Sequence, residues 1–129
     1  LDAHNQVCLL RQFRHAAGGW IWELPAGKLE TDEGPQTTAA RELAEEAGLQ
    51  AGHWDMLGEI LVSPGFCDEI IHLYLARNLT AVPAQPEDDE LLEVHWLPLE
   101  QALQQVHDGT LSDAKTMLGL TLAEKHTLA

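Results

Sequence analysis

Arg41-Glu42-Leu43-Ala44-Glu45-Glu46-Ala47-Gly48 carries the densest chemistry in this chain. On a helix Glu42, Glu45 and Glu46 share an arc of about 100°. Ala39, Ala40, Leu43 and Ala47 hold much of the remaining surface, leaving small residues for close packing. A solvated acidic face is the ordinary explanation of such a cluster, but two costs count against it. Like charges at i,i+4 cost about 0.2–0.5 kcal/mol, and no Lys or Arg follows Glu46 by three or four residues to relieve them. The cluster also lies in the C-terminal half of its helix, where the macrodipole disfavours anions. Carboxylates tolerated there point to a bound cation, and oxygen-only donors select a hard ion, Mg²⁺ or Mn²⁺.

Several elements must position these acids. A helix is predicted over 35–47, with Gly34 before it, Pro35 at its first position and Gly48 as its stop. Further helices are expected over 99–107, ended by Asp108-Gly109, and from a Ser112 or Asp113 cap to about residue 125. Runs rich in β-branched and aromatic residues at 7–10, 20–24, 53–62, 70–76 and 93–97 read as strands. Residues 82–90 form a polar, proline-bearing loop too short to link domains. One domain over 1–129 with a mixed α and β core is expected. Leu1 is not a methionine and a strand is already under way by Gln6, so an N-terminal segment is expected upstream.

The chain has 129 residues, seven Lys plus Arg, 21 Asp plus Glu and a net charge of −14. That balance argues against nucleic acid or an anionic membrane as partner, and any phosphate ligand would need a cation as intermediary. At 45% hydrophobic and 22% charged, the composition is that of a globular protein able to bury a core. Cys8 and Cys67 are too few for a disulfide framework and read as packing residues. The seven histidines show no zinc-type spacing. No stretch approaches a membrane span and no signal-type start is present, so a cytoplasmic location is expected.

Gly27, five residues to Glu33, then seven to Arg41-Glu42-Leu43-x-Glu45-Glu46-x-Gly48-Leu49 fills every fixed position of the Nudix box. The chain thus resembles the Nudix hydrolase family. The resemblance implies an α/β/α sandwich around a mixed sheet, an α+β fold. It also implies metal-dependent hydrolysis of a nucleoside diphosphate linked to another moiety. By position, Glu42 and Glu46 would be metal ligands, Glu45 a further ligand or water-mediated neighbour, and the Ala26 carbonyl would also reach metal. Glu33 and Arg41 would pair and brace the loop against the helix, while Gly27 and Gly48 would serve the backbone.

Features outside the box resemble the ADP-ribose pyrophosphatase branch. Pro64 lies 16 residues after Gly48, within Ser63-Pro64-Gly65-Phe66, which looks like a substrate-side loop. Arg11-Gln12-Phe13-Arg14, Glu23-Leu24-Pro25-Ala26-Gly27 and Gly109-Thr110-Leu111-Ser112-Asp113-Ala114 fit the same branch. Arg14, then Arg11, would hold the substrate phosphate and ribose, and Glu23 and Glu69 could orient a ligand. Phe13, Trp20 and Trp22 read as core or interface residues. In this branch the general base comes from a loop before the last strand, which makes Glu90 the first choice and Asp88 the second. The catalytic acids are then Glu90, Asp88 and Glu45. The resemblance further implies a homodimer and a product pair of AMP and ribose 5-phosphate. A GDP-mannose or other nucleotide-sugar pyrophosphatase is the alternative enzyme. A non-catalytic nucleotide-sensing Nudix module is a third reading, disfavoured because the box keeps all its glutamates.

Overall fold

The computed structural model describes residues 1–87 and 91–127. Strand β1 (Gln6–Arg14) is central in a three-stranded sheet of order β2-β1-β5, with β2 spanning Gly19–Glu23 and β5 Leu92–Pro98. Both pairings are antiparallel, with Leu10 opposite Glu23 on one side and Val94 on the other. Its central place explains why Val7, Cys8, Leu9 and Leu10 are all buried, whereas an edge strand would alternate. The turn from β1 to β2 contains a 3-10 turn at His15–Ala17, closed by Gly18 N–H to the His15 carbonyl at 3.0 Å.

Helix α1 runs over Pro35–Ala47, with the bounds the sequence predicts. Pro35 supplies a helical φ where no N–H partner is needed. Gly48 ends the helix in the left-handed region at φ 66, its N–H returning to the Ala44 carbonyl at 3.0 Å. Strand β3 (Leu49–Leu61) starts at once and pairs antiparallel with β4 (Ile70–Ala81) in a separate two-stranded sheet. Both strands outrun the sequence-based expectation. Leu49, Gln50 and Ala51 pair with Ala81, Thr80 and Leu79, so cross-strand hydrogen bonds extend them into polar sequence of little strand character.

Helix α2 (Leu99–His107) follows β5 directly, and α3 spans Ala114–Thr127. The Asp113 carboxylate accepts from Thr116 N–H at 3.3 Å and Thr116 Oγ1–H at 2.7 Å, supplying the expected cap. The core joins Val7 and Leu9 to Leu75 of β4 and to Leu99, Ala102, Leu111, Leu120 and Ala123. Each fully buried leucine contributes about 1.5–3 kcal/mol of apolar transfer. Helix α1 packs on β3 and β4, while α2 and α3 pack on each other and against both sheets.

The fold is therefore α+β as expected. Where a single mixed sheet was anticipated, the described strands form two antiparallel sheets. Among the described residues, no helix is long and apolar enough to cross a membrane.

Candidate active site

The connection from β2 to α1, residues 24–34, lies against the acidic arc of the helix. Ala26 N–H donates to Glu46 Oε1 at 2.9 Å, and Glu46 is only 5% exposed. Gly27 follows, and a Cβ there would run into the Glu42 carboxylate. The loop thus approaches the helix where glycine alone leaves Glu42 room.

Arg41 ties the loop to the helix. Its Nε and Nη2 take the two oxygens of Glu33 at 2.9 and 3.0 Å, a bidentate fork, and Nη2 also reaches the Lys28 carbonyl at 3.2 Å. Its Nη1 meets Glu42 Oε1 at 2.7 Å and Glu45 Oε2 at 3.3 Å, with Glu30 at 3.7 Å. One guanidinium therefore serves four carboxylates. Arg41, and then the Thr38 hydroxyl at 2.7 Å, hold the Glu33 carboxyl down to about 2. The same partnership pushes the Arg41 pKa up.

Among the described residues, no three His, Cys, Asp or Glu side chains are arranged to hold a metal ion. Glu42 and Glu45 turn toward Arg41, and Glu46 turns toward Ala26 N–H. The donor set nevertheless suits a hard divalent ion in kind. It offers three carboxylates from one helix face beside the peptide of Ala26 and the bare Cα of Gly27. Sharing an ion requires Glu42 and Glu45 to exchange Arg41 for it.

A second ion network stands at the end of β2. Glu23, its side chain 4% exposed, accepts Arg14 Nε at 2.9 Å on Oε2 and Lys115 Nζ at 2.6 Å on Oε1. Lys115 also reaches Asp113 at 2.9 Å, and Thr116 Oγ1 accepts Leu24 N–H at 3.0 Å. Burial pulls the Lys115 pKa down, but Glu23 and Asp113 outweigh it and the net shift is upward. A cleft of about 690 Å³ lined by Arg14, Ala26, Gly27, Lys28, Glu69 and Lys115 opens beside this network and continues along apolar side chains.

The structure does not bring every anticipated residue together. Arg11 is three residues from Arg14 and so projects from the other face of β1, over the Trp20 ring at 5.3 Å and 3.7 Å from Glu93. Pro64, Gly65 and Phe66 sit exposed in the β3–β4 connection and do not line the cleft, Phe66 being 90% exposed; Glu69 does line it. Glu90 and Asp88 lie outside the described residues. Sequence reasoning missed Lys115, Thr116 and Thr38. Lys115 had one available signal, since it is among only seven basic residues and follows a helix cap by two positions.

The family model of the Nudix domain matches residues 1–118. The chain belongs to the Nudix family. It is 42% identical to an ADP-ribose pyrophosphatase of Bacillus subtilis over 87% of this chain and 62% of that protein. It is 38% identical to a GDP-mannose pyrophosphatase of Klebsiella pneumoniae over 91% of this chain and 64% of that protein. The chain thus spans less than two thirds of the length of these curated relatives. A solved structure titled an ADP compounds hydrolase superposes with a TM-score of 0.87, covering 96% of this chain and 67% of that one at 19% identity, which shows the shared fold.

Proposed function

We propose that this chain is the catalytic domain of a divalent-metal-dependent pyrophosphohydrolase that cleaves a nucleoside diphosphate derivative, with ADP-ribose as its substrate. The observation that carries the reading is the loop over 24–34 held on the acidic face of α1, with the Arg14–Glu23–Lys115 network beside it on one cleft. Arg14 and Lys115 line that cleft with Ala26 and Gly27, which in turn meet the metal donors Glu46 and Glu42. These donors do not line it themselves, and a diphosphate would bind where the two sets meet. The 42% identity to an ADP-ribose pyrophosphatase supports ADP-ribose.

Glu42, Glu46 and Glu45, with the Ala26 carbonyl, would hold Mg²⁺ or Mn²⁺. Such an ion neutralises diphosphate charge and lowers the pKa of a water molecule at the reacting phosphorus. Arg14 binds the phosphate remote from adenosine, and Glu23 orients Arg14. Arg41 and Glu33 keep the loop against the helix. A carboxylate of the 87–90 segment, Glu90 before Asp88, accepts the proton of the attacking water. Water adds across the P–O–P bridge, giving AMP and ribose 5-phosphate. Arg11, on the opposite face, has no part in this step, and Phe66 with Pro64 and Gly65 would reach substrate only through movement of their connection.

We place the enzyme in the cytoplasm, as a homodimer. A strict monomer in sedimentation at micromolar concentration would remove the dimer. Purified protein with Mg²⁺ or Mn²⁺ should release AMP from ADP-ribose, and faster than it hydrolyses GDP-mannose, UDP-glucose or dinucleoside polyphosphates. Preference for GDP-mannose, as the 38% identical relative would suggest, would overturn the substrate but keep the reaction class. No turnover of any of the four would overturn the reaction.

A further inference from the structure

We infer that Lys115 is a positioning residue that sets how Arg14 presents its guanidinium to the substrate. The inference rests on the proposed role of Arg14 as a phosphate contact.

Glu23 has two carboxylate oxygens, and its two cations bond them unequally. Lys115 Nζ takes Oε1 at 2.6 Å, and Arg14 Nε takes Oε2 at 2.9 Å. Arg14 Nη2 also donates to Oε1, the oxygen that Lys115 holds, at a longer 3.4 Å, and to Gln12 Oε1 at 3.2 Å. An arginine and a carboxylate left to themselves favour two parallel short bonds. Lys115 shares the oxygen that takes the second bond, and that bond is the longer one, so the Arg14–Glu23 fork is uneven.

The charge count supports the same conclusion. Lys115 also meets Asp113 at 2.9 Å, but Asp113 is engaged besides by the start of α3, through Thr116 N–H and Oγ1–H. Glu23 is nine-tenths buried and must be compensated. With Lys115 present, the carboxylate charge is divided between two cations. Without it, the whole charge falls on Arg14 and competes directly with a phosphate for the guanidinium.

Lys115 itself is placed by long-range packing. The start of α3 is fastened to the end of β2 by Leu24 N–H to Thr116 Oγ1, and a Cβ on Gly119 would stand 2.7 Å from Leu24 Cδ1. The start of α3 thus packs closely on Leu24, and the Leu24–Thr116 hydrogen bond keeps Lys115 beside Glu23.

The test combines kinetics on ADP-ribose with the ¹⁵N signal of the Arg14 Nε–H, assigned through R14Q. K115Q should raise KM about tenfold, as neighbours in one ion network do, and change kcat less. It should also shift the Arg14 signal. In an R14Q background K115Q should raise KM no further, and K115R should restore both KM and signal. Wild-type KM together with an unmoved signal in K115Q overturns the inference. If K115Q does not fold, K115R decides, and a KM raised as far as that of R14Q counts against the proposal. An unchanged KM in R14Q itself removes Arg14 from the substrate, which is a failure of the functional reading. The Arg14 signal in K115Q then still decides whether Lys115 positions Arg14.

Discussion

Arg11 and Arg14 leave the same strand on opposite faces, one lying over Trp20 and the other held by buried Glu23. Only Arg14 shares the cleft with the Gly27 loop. R14Q should weaken binding by about 2 kcal/mol, roughly thirtyfold in KM. Arg11 makes an exposed ion pair, so R11Q should change KM less than about fivefold. Steady-state kinetics on the two proteins checks this, and equal losses would mean that both faces meet substrate.

Glu46 has two tasks that can be separated. The amide introduced by E46Q would keep an oxygen to accept Ala26 N–H, so this variant should melt near wild type. It should nevertheless lose more than about 100-fold in kcat, since even indirect supports of a metal ligand are worth about 10–100-fold. Excess EDTA should inactivate the wild type comparably. Near-normal turnover by E46Q would sink the metal assignment.

A methyl group on Gly27 meets the Glu42 carboxylate. G27A should displace Glu42, or lift the loop from it, and cost activity out of proportion to stability. Thermal melting and turnover measured on one preparation decide this, and equal activity at equal Tm would show that the close approach is dispensable.

The Glu33–Arg41 fork sets a pH dependence of stability. The Glu33 carboxyl is lowered from an ordinary 4.5 to about 2 in the folded protein, so its contribution is fully present above pH 4.5 and is lost as pH falls toward 2. E33Q should therefore be less stable than wild type by a constant amount above that range. The gap should close as pH approaches 2. Urea midpoints across the range provide the measurement, and a gap that widens on acidification would contradict it.

Gly48 combines a left-handed φ of 66 with a Cβ position 3.0 Å from the Val82 carbonyl oxygen and 3.3 Å from Ala84 Cβ. G48A should cost more than about 1 kcal/mol from the backbone alone, and more again from moving residues 82–84. Chemical denaturation reads the loss.

Local signals made much of this legible. Gly34-Pro35 and Gly48 bracket α1 because proline presets the first turn and glycine the left-handed stop. Asp113 announced α3 because its carboxylate competes for the first amides. The Gly27–Gly48 spacing located the loop and its acids together. Strand order was not legible, since nothing local states that β1 lies between β2 and β5. The tails of β3 and β4 were hidden for the same reason, as their partners are each other. The separation of Arg11 from Arg14 could have been read from a spacing of three on a period of two. Lys115 could not be placed, because its meaning comes from Glu23, 92 residues away.

That distance has a temporal side. The Gly27–Leu49 signature is complete by residue 49, yet Leu24 and Glu23 gain part of their fastening from Thr116 and Lys115. At about 5–20 residues per second, a ribosome finishes the signature several seconds before the helix that steadies its entrance. During that interval the chain holds every acid of the box and none of the α3 contacts that hold Glu23 and Leu24. The motif that names the family is therefore made before the helix that fastens the residues leading into it.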